Sequence, residues 1–166
     1  MLLVFENLKD LSFSKLMAVY EESNRENGAE FWPGMEEGQR ILRAEQEFYQ
    51  YLREVFFPTD NAWYYVWEEN GAYVAALRLE PYRDGMLLEA LETHPDHRRK
   101  GYAGQLIQAV QEICPNCIIY SHVGKRNLAS LKTHEKCGFR RIADQAVYAD
   151  GSVNSRSYTL CWEGKK

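Results

Sequence analysis

The chain of 166 residues lacks a long apolar segment and lacks the features of a secretory leader. No run approaches the roughly 18 apolar residues that a membrane-spanning helix needs. The first residues, MLLVFENLKDL, have no basic flank, no extended apolar stretch and no small-residue cleavage site, so secretion is not expected. A globular chain of this length buries enough surface to fold without disulfides. We therefore expect one domain over residues 1–166 that acts in the cytoplasm, away from membranes.

The chain also lacks an excess of positive charge and a complete set of metal ligands. Its formal net charge is −4, whereas a general nucleic-acid binder needs pooled Lys and Arg to hold phosphates. Cys114 and Cys117 have the spacing of a redox or zinc pair, but no second Cys or His pair stands at a suitable distance. Cys137 and Cys161 fit the pattern of small buried hydrophobes. We expect neither a nucleic-acid partner nor a metal.

Two common nucleotide-binding motifs are missing as well: the Lys-Ser/Thr end of a P-loop and the Gly-x-Gly-x-x-Gly of a dinucleotide fold. In their place, a glycine-containing basic turn joins an apolar segment at 86–93 to an amphipathic segment at 103–113. The first amides of a helix lack internal partners and lie at the positive end of its dipole, so main chain alone can hold a phosphate there. The turn therefore predicts an anion site, although a basic turn can also be a solvated loop. Its residues are Arg98, Arg99, Lys100, Gly101, Tyr102, Ala103 and Gly104.

The rest of the chain alternates between strand and helix patterns. Two helices are predicted after the first strand, joined by a loop at 27–35 that carries Phe31 and Trp32. A helix separates the predicted strands at 86–93 and 117–123, so these two strands should be parallel. Strands are predicted at 2–7, 62–69, 72–80, 86–93 and 117–123, helices near 13–20, 33–56, 103–113 and 127–138, and a closing hairpin after residue 138.

This order of elements and two motifs resemble the GNAT superfamily of acetyl-CoA-dependent N-acyltransferases. The family motif Gln/Arg-x-x-Gly-x-Gly/Ala is met by Arg98, Gly101 and Ala103, after a Thr-His-Pro turn at 93–95. The family signature Asn-x-x-Ala-x-x-x-Tyr-Glu-Lys-x-Gly-Phe is matched in spacing, with His134 where tyrosine is usual. The residues that match this second motif are Asn127, Ser130, Glu135, Lys136, Gly138 and Phe139.

The resemblance implies an α/β (α+β) fold with a single mixed, mostly antiparallel sheet of about seven strands. Its central parallel pair is expected to splay apart, and about four helices should flank the sheet. The resemblance further implies that the anion is the pyrophosphate of acetyl-CoA, held by the backbone of 99–104 with charge from Arg98 and Lys100. The pantetheine arm would contact the main chain of Leu91, Glu92 and Thr93, and the residues Asn127 and Ser130.

Two residues are predicted to act in catalysis. A lysine-like amine has a pKa near 10.4 and must lose a proton before it attacks; Glu89 is the predicted base, with a structural salt bridge as its alternative. Glu89 and Glu92 should point to opposite faces, because side chains alternate along a strand. His134 is predicted to donate a hydrogen bond to the leaving sulfur. Otherwise His134 is solvent-facing and a tyrosine supplies the hydroxyl, namely Tyr120, Tyr148 or Tyr158.

The function implied is an N-acetyltransferase that moves acetyl from acetyl-CoA to a primary amine of a small molecule or peptide, by direct attack in a ternary complex. The acidic balance favours a cationic acceptor. Phe31 and Trp32 either wall the acceptor site or fold back onto the domain, and the chain is expected to be a monomer or homodimer. Two alternatives stay open: a catalytically silent acyl-CoA-binding or sensing module, and a phosphate- or nucleotide-binding protein unrelated to coenzyme A.

Overall fold

One mixed sheet organises the fold. Seven of the strands that a computed structural model describes within residues 1–165 form this sheet, and two short strands pair separately as a ribbon. The predicted final residue of the domain, Lys166, lies outside the described residues. The strands are β1 (Leu2–Phe5), β2 (Trp63–Glu69), β3 (Ala72–Tyr82), β4 (Gly85–Thr93), β5 (Ile118–Gly124), β6 (Arg140–Ala143), β7 (Ala146–Val147), β8 (Val153–Asn154) and β9 (Ser157–Glu163).

The strand order in the sheet is β1-β2-β3-β4-β5-β9-β6, and β4 with β5 is the parallel pair in an otherwise antiparallel arrangement of the described strands. The predicted mixed sheet is thereby confirmed. The closing segment differs in one respect from a simple hairpin: β9 lies between β5 and β6, and the connection from β6 to β9 carries the β7–β8 ribbon.

Helices cover both faces of the sheet. Helices α4 (Tyr102–Ile113) and α5 (Leu128–Lys136) pack on one face, and their core includes Leu106, Ile107 and Val110. Helix α1 (Phe13–Val19) and a π-helical turn at Leu52–Phe56 pack on the other. Residues 1–165 contain five α-helices rather than about four: α1 (Phe13–Val19), α2 (Glu21–Phe31), α3 (Glu37–Tyr51), α4 (Tyr102–Ile113) and α5 (Leu128–Lys136).

The additional helix is α2, and it corrects the predicted loop at 27–35. Phe31 is the last residue of α2, and Trp32 is its C-terminal cap. The sequence pattern does not predict this helix, because its residues are almost all polar and give no apolar stripe. Packing stabilises this helix instead: Gly28 lies so close to α3 that a Cβ at this position would come within 3.0 Å of the Arg40 Cβ.

The parallel pair β4–β5 separates after a short contact. Register pairs link the two strands only from Met86 with Ile119 to Leu88 with Ser121. Beyond Leu88, strand β4 stays paired with β3 as far as Thr93, while β5 stays paired with β9. The facing edges of β4 and β5 therefore diverge, as predicted, and leave main-chain groups between them without a strand partner.

Strand β4 also contains a β-bulge at Ala90. Arg78 of β3 pairs with Glu89, and Ala76 of β3 pairs with Glu92. One β3 residue therefore faces two β4 residues, which is the definition of a bulge. Ala90 takes up the extra length with a φ of +51°, a conformation that L side chains rarely adopt.

The bulge changes the face to which the two carboxylates point. Arg78 and Ala76 are two residues apart on β3 and so share a face. Their partners, Glu89 and Glu92, therefore share that face too. The expectation that Glu89 and Glu92 point to opposite faces is wrong, because it assumed unbroken alternation along β4.

A chain of hydrogen bonds holds the bulge in place. The Tyr64 hydroxyl donates to the Tyr20 hydroxyl at 2.7 Å, and the Tyr20 hydroxyl donates to the Ala90 carbonyl at 2.6 Å. Both tyrosines are buried. Because a buried carbonyl without a donor is costly, this chain fixes the bulge to the junction of α1 and α2.

We expect Tyr20→Phe to lower the free energy of unfolding by about 1–2 kcal/mol, because the Ala90 carbonyl and the Tyr64 hydroxyl each lose a partner. Tyr65→Phe is the matched control: Tyr65 is also buried, and its hydroxyl makes no hydrogen bond within residues 1–165. That control should cost less than about 0.5 kcal/mol. Chemical denaturation measures both, and equal losses would contradict a role for Tyr20 in holding the bulge.

Candidate active site

A groove of about 690 Å³, which we call the loop groove, opens in front of the 98–104 loop. It runs between the divergent end of β4 and the first turns of α4 and α5. Lys100 is exposed and does not line it. The other residues predicted to bind the coenzyme all do: Leu91, Glu92, Thr93, Arg98, Arg99, Gly101, Tyr102, Ala103, Gly104, Asn127 and Ser130.

The 98–104 loop presents main-chain donors to this groove. Gly101 is the N-terminal cap of α4 with a φ of +80°, and Arg99 also has a positive φ, of +62°. The first intrahelical bond runs from the Gln105 N–H to the Gly101 carbonyl. The N–H groups of the preceding helical residues, 102–104, have no intrahelical acceptor. They form a cradle for an anion at the positive end of the α4 dipole.

Helix α2 forms a wall of the loop groove that the sequence patterns did not reveal. Glu22, Ser23 and Glu26 line the groove. Arg98 crosses the groove to Glu22, with 2.5 Å between Nη2 and Oε2. The sequence patterns predict no helix over residues 21–31, so they do not place these residues beside the anion site.

Helix α5 forms the opposite wall, and its N-terminal cap is Asn127. The Asn127 side-chain oxygen accepts from the Ser130 N–H at 3.1 Å. This bond leaves the side-chain NH₂ of Asn127 as a donor for a ligand, so capping and binding are compatible. Lys136, Ala129 and Thr133 of α5 also line the groove.

A second cavity of about 360 Å³, the side pocket, adjoins the loop groove. Ser23 and Glu92 line both cavities, so the two meet at the bulge of β4. Four of its nine lining residues are aromatic or amide residues of α2 and α3, and Tyr20, between α1 and α2, is a further aromatic residue of the wall. The residues that line the side pocket are Tyr20, Ser23, Asn24, Asn27, Phe48, Tyr51, Arg78, Ala90 and Glu92.

The predicted acceptor residues lie elsewhere. Phe31 is exposed at the end of α2, and Trp32 lies under the guanidinium of Arg43 at 4.7 Å. Neither residue lines the loop groove or the side pocket. The acceptor role of Phe31 and Trp32 stays a prediction without a cavity to serve it.

Burial alters the acidity of both β4 carboxylates. It raises the pKa of Glu92 to about 7, against a lowering effect of Arg98, and the nearby Glu22 and Glu26 raise it further. Burial likewise raises the pKa of Glu89 to about 7, opposed by Arg78. A carboxyl group with such a pKa is suited to exchange protons near neutral pH.

The two carboxylates differ in what they can reach. Glu92 borders both cavities, whereas Glu89 borders neither. Glu89 instead pairs with Arg78 at 3.9 Å, from Oε2 to Nη2, and this Oε2 is buried without a hydrogen-bond partner among residues 1–165. The salt bridge considered as the alternative for Glu89 is therefore present.

His134 is buried between α5 and β5, only 1% exposed. Its Nδ1 lies 2.8 Å from the Ser130 carbonyl, which can only accept, so Nδ1 carries the proton. Its Nε2 then accepts from the Ser121 hydroxyl at 2.9 Å. Burial lowers the pKa of His134 and keeps the ring neutral. His134 lies outside both cavities and reaches the loop groove only through Ser130.

The tyrosines considered as alternatives to His134 also lie outside both cavities. The Tyr120 hydroxyl donates to Asp84 at 2.5 Å. Tyr148 accepts from Asn154 at 3.3 Å, and Tyr158 lies beneath cationic side chains. The solvent-facing alternative for His134 does not agree with its burial.

The cysteines and acidic residues of the described chain form no metal site. Within residues 1–165, no group of three or more His, Cys, Asp or Glu side chains is placed to hold a metal ion. Cys114 and Cys117 join as a disulfide at the end of α4, while Cys137 and Cys161 are free and buried. No helix of these residues is long and apolar enough to cross a bilayer.

A splayed parallel pair, beside a helix N-terminus that presents free amides, is the arrangement that the sequence resemblance implies for an acyltransferase. Residues 16–139 match the model of the acetyltransferase (GNAT) family. The chain belongs to this family. No curated protein matches the chain.

Solved structures of N-acetyltransferases share the fold at low sequence identity. PaiA N-acetyltransferase from Thermoplasma acidophilum, in complex with coenzyme A, aligns with a TM-score of 0.63 at 13% identity, over 98% of this chain and 99% of that one. Spermidine N-acetyltransferase from Vibrio cholerae, with CoA and spermine, aligns with 0.62 at 17%, over 98% and 95%. The ribosomal-protein-S18-alanine N-acetyltransferase from Escherichia coli aligns with 0.58 at 17%, over 100% and 96%.

The raised pKa of Glu92 predicts a pH-dependent effect on stability. Between its ordinary pKa of 4.5 and its folded pKa of about 7, the folded chain holds a proton that the unfolded chain has lost. Folding is therefore favoured below pH 4.5, and this contribution is lost as the pH rises through 7. Glu92→Gln removes the buried charge and should raise the free energy of unfolding at pH 8 by about 1–2 kcal/mol, after discounting for solvent screening.

The same substitution should have little effect at pH 4.5, where the carboxyl is already neutral. Thermal unfolding at both pH values measures the difference. Glu112→Gln, at an exposed position of α4, is the control and should change stability at neither pH. A Glu92→Gln effect that is equal at both pH values would contradict the proposed burial of charge.

Proposed function

We propose that the chain is an acetyl-CoA-dependent N-acetyltransferase that moves acetyl to a primary amine of a small molecule or peptide by direct attack in a ternary complex. The observation that carries this proposal is that the loop groove, with its anion cradle, meets the side pocket at the β4 bulge. Acetyl-CoA in the groove and an amine in the side pocket could then be bound at the same time. The protein would work in the cytoplasm, as a monomer or homodimer, without nucleic acid or membrane.

The loop groove would hold the coenzyme. The pyrophosphate would accept from the amides of 99–104, and the charges of Arg98 and Lys100 would add attraction. Arg98 would exchange its Glu22 partner for a phosphate oxygen. The pantetheine arm would follow the unpaired edge of β4 at 91–93 and the Asn127 amide. Two of the similar structures were solved with coenzyme A, which supports this assignment.

The acyl transfer itself forms one bond and breaks one. The neutral amine attacks the thioester carbon, the C–N bond forms, and the oxygen takes up negative charge that the Leu91 N–H stabilises. The C–S bond then breaks, the nitrogen gives up its proton, and the thiolate receives one. Glu89 and His134 are the residues that the sequence assigns to these two proton transfers.

The geometry favours Glu92 over Glu89 as the proton acceptor in this proposal. Glu92 borders the groove and the side pocket, where the amine and the thioester would meet. Glu89 acts behind it as the partner of Arg78. His134 would act as a positioning residue, because its Nδ1 lies 3.3 Å from the hydroxyl of Ser130, a residue that lines the groove. The Ser130 hydroxyl would then donate a hydrogen bond to the departing sulfur, while the proton that the thiolate takes up would come from solvent.

Glu92→Gln should lower kcat at least about 100-fold, since a general base contributes roughly 10²–10⁴ in rate. It should also abolish the rise of rate with pH near 7, where the wild-type carboxylate loses its proton. Glu89→Gln is a matched control, because both carboxyls lie on one face of β4 with similar pKa values. A larger loss of kcat in Glu89→Gln than in Glu92→Gln would indicate that Glu89 is the general base. Steady-state thiol release over pH 5.5–9 measures both.

Gly101→Asp should weaken coenzyme binding by more than about tenfold, because it places a negative charge in the anion cradle. Gly71→Asp is the matched control: Gly71 has a φ of +79°, close to the +80° of Gly101, and lies in the β2–β3 turn. Both variants place a side chain at a positive φ of about the same size, so the control includes that source of backbone strain. Calorimetric titration with CoA should show weakened binding for Gly101→Asp alone. Equal affinities of the two variants would contradict the assignment of the pyrophosphate to this loop.

The proposed function as a whole is tested by release of free thiol from acetyl-CoA with a panel of primary amines. Amine-dependent release identifies a transferase. Tight coenzyme binding without release from any amine would instead make the chain a silent acyl-CoA-binding module. Thermal stabilisation by nucleoside triphosphates and not by acetyl-CoA would indicate a nucleotide-binding protein.

A further inference from the structure

Arg78 is a largely buried arginine whose side chain makes no hydrogen bond in the part of the chain that the structure describes. Its side chain is 16% exposed and lines the side pocket. Its Nε is fully buried and has no partner within residues 1–165. The Glu89 carboxylate stands 3.9 Å away, beyond hydrogen-bond distance. A guanidinium has five N–H donors, so most of the hydrogen-bonding capacity of Arg78 is unused.

Aromatic rings fix the position of this guanidinium. Its central carbon lies 4.8 Å from the centre of the Tyr51 ring, 5.8 Å from that of Phe48 and 5.6 Å from that of Phe56. Such stacking orients the plane of the guanidinium before a ligand arrives. The Nε is too deeply buried to meet a ligand in the side pocket, so a ligand carboxylate would accept from the terminal N–H groups of the guanidinium, which can bind it in a bidentate manner. The side pocket therefore presents a prepared carboxylate site.

The other charged group of the side pocket is Glu92. Because Arg78 pairs with Glu89 and Ala76 pairs with Glu92, Arg78 and Glu92 stand two β3 positions apart on the same face. Their positions in the sheet are therefore about 7 Å apart along the strand direction. Since both residues line the side pocket, one small molecule that carries a carboxylate and an ammonium can direct the carboxylate to Arg78 and the ammonium to Glu92. The ammonium end would then lie where the side pocket meets the loop groove.

We propose that the acceptor is a small amino-acid-like zwitterion, whose carboxylate binds Arg78 while its amine faces Glu92. The inference rests on the proposed acetyltransferase function and names the substrate class of that same site. A polyamine fits less well, because its second ammonium would meet the Arg78 guanidinium as a like charge. The amide side chains of Asn24 and Asn27 offer further donors and acceptors to such a ligand.

Three acceptors with one carbon skeleton test the proposal on the wild-type protein with acetyl-CoA. Leucine carries the carboxylate, leucinamide replaces it with a neutral amide, and 3-methylbutylamine lacks it. We expect kcat/KM for leucine to exceed the other two by about 10- to 100-fold, as for a charged hydrogen bond at a buried site. The amine of leucinamide is less basic than that of leucine, so a larger fraction of it is neutral and able to attack near pH 7. Without recognition of the carboxylate, leucinamide should therefore react faster than leucine.

Substitutions of Arg78 assign that preference to its guanidinium. Arg78→Met retains a long apolar stem against the aromatic rings, and Arg78→Met with Glu89→Gln removes both charges, so that no carboxylate is left unpaired. Either variant should raise KM for leucine about 10- to 100-fold and lower kcat less. The rate with 3-methylbutylamine should change far less. Arg78→Lys should restore part of the preference, since it keeps the charge without the fork.

Arg83→Met is the control variant. Arg83 also stacks on aromatic rings, those of Tyr82 and Tyr120, but lines neither cavity. It should leave the rates with both acceptors unchanged. Turnover of 3-methylbutylamine by the wild-type protein that equals or exceeds that of leucine would overturn the proposed zwitterionic acceptor. An equal loss of activity with leucine and 3-methylbutylamine in the Arg78 variants would overturn it as well. Coenzyme binding without thiol release from any amine would overturn the transferase function itself.

Discussion

The bulge at Ala90 is the constraint on which the site depends. One extra residue in β4 lets the strand remain paired with β3 while its other edge leaves β5. The same residue turns Glu92 to the face already occupied by Glu89, so that two carboxylates and Arg78 share one side of the sheet. Because a positive φ at alanine is strained, the bulge needs support, and the Tyr64–Tyr20 hydrogen bonds to the Ala90 carbonyl supply it. Hydrogen bonds from Tyr20, between α1 and α2, thus connect these helices to the point where β4 separates from β5.

Buried charge is the second property of the site, and it follows from the same geometry. Removing Glu92 from water raises its pKa to about 7 because the ionised form loses solvation. The same burial leaves Arg78 and Glu89 close but not hydrogen-bonded. Such an arrangement contributes little to folding and costs solvation energy. It is retained, in our proposal, because a bound acceptor completes the missing hydrogen bonds.

Much of the loop groove, which would bind the acetyl donor, could be predicted from sequence. The side pocket, which would bind the amine acceptor, could not. Gly101 and Asn127 are recognisable because each serves a local need, a positive φ before a helix and a helix cap, which short motifs express. The bulge has no such signature in the sequence of β4, because it is defined by the way in which β4 pairs with the residues of β3. Helix α2 consists almost entirely of polar residues, so apolar periodicity does not predict the wall that it forms in the groove. Arg78 lies in an ordinary strand pattern, and only the packing of α3 turns it into a pocket residue.

This division has a physical cause. The anion cradle consists of main-chain amides, which every residue supplies, so a few glycines and a cap preserve it while the remaining sequence changes. The side pocket consists of side chains from separate elements, and each can change without disturbing the cradle. Folds that align over nearly the whole chain at 13–17% identity are compatible with this view. The family therefore specifies acetyl-CoA as the acetyl donor, whereas in our proposal Arg78, Glu92 and the helices that surround them specify the acceptor.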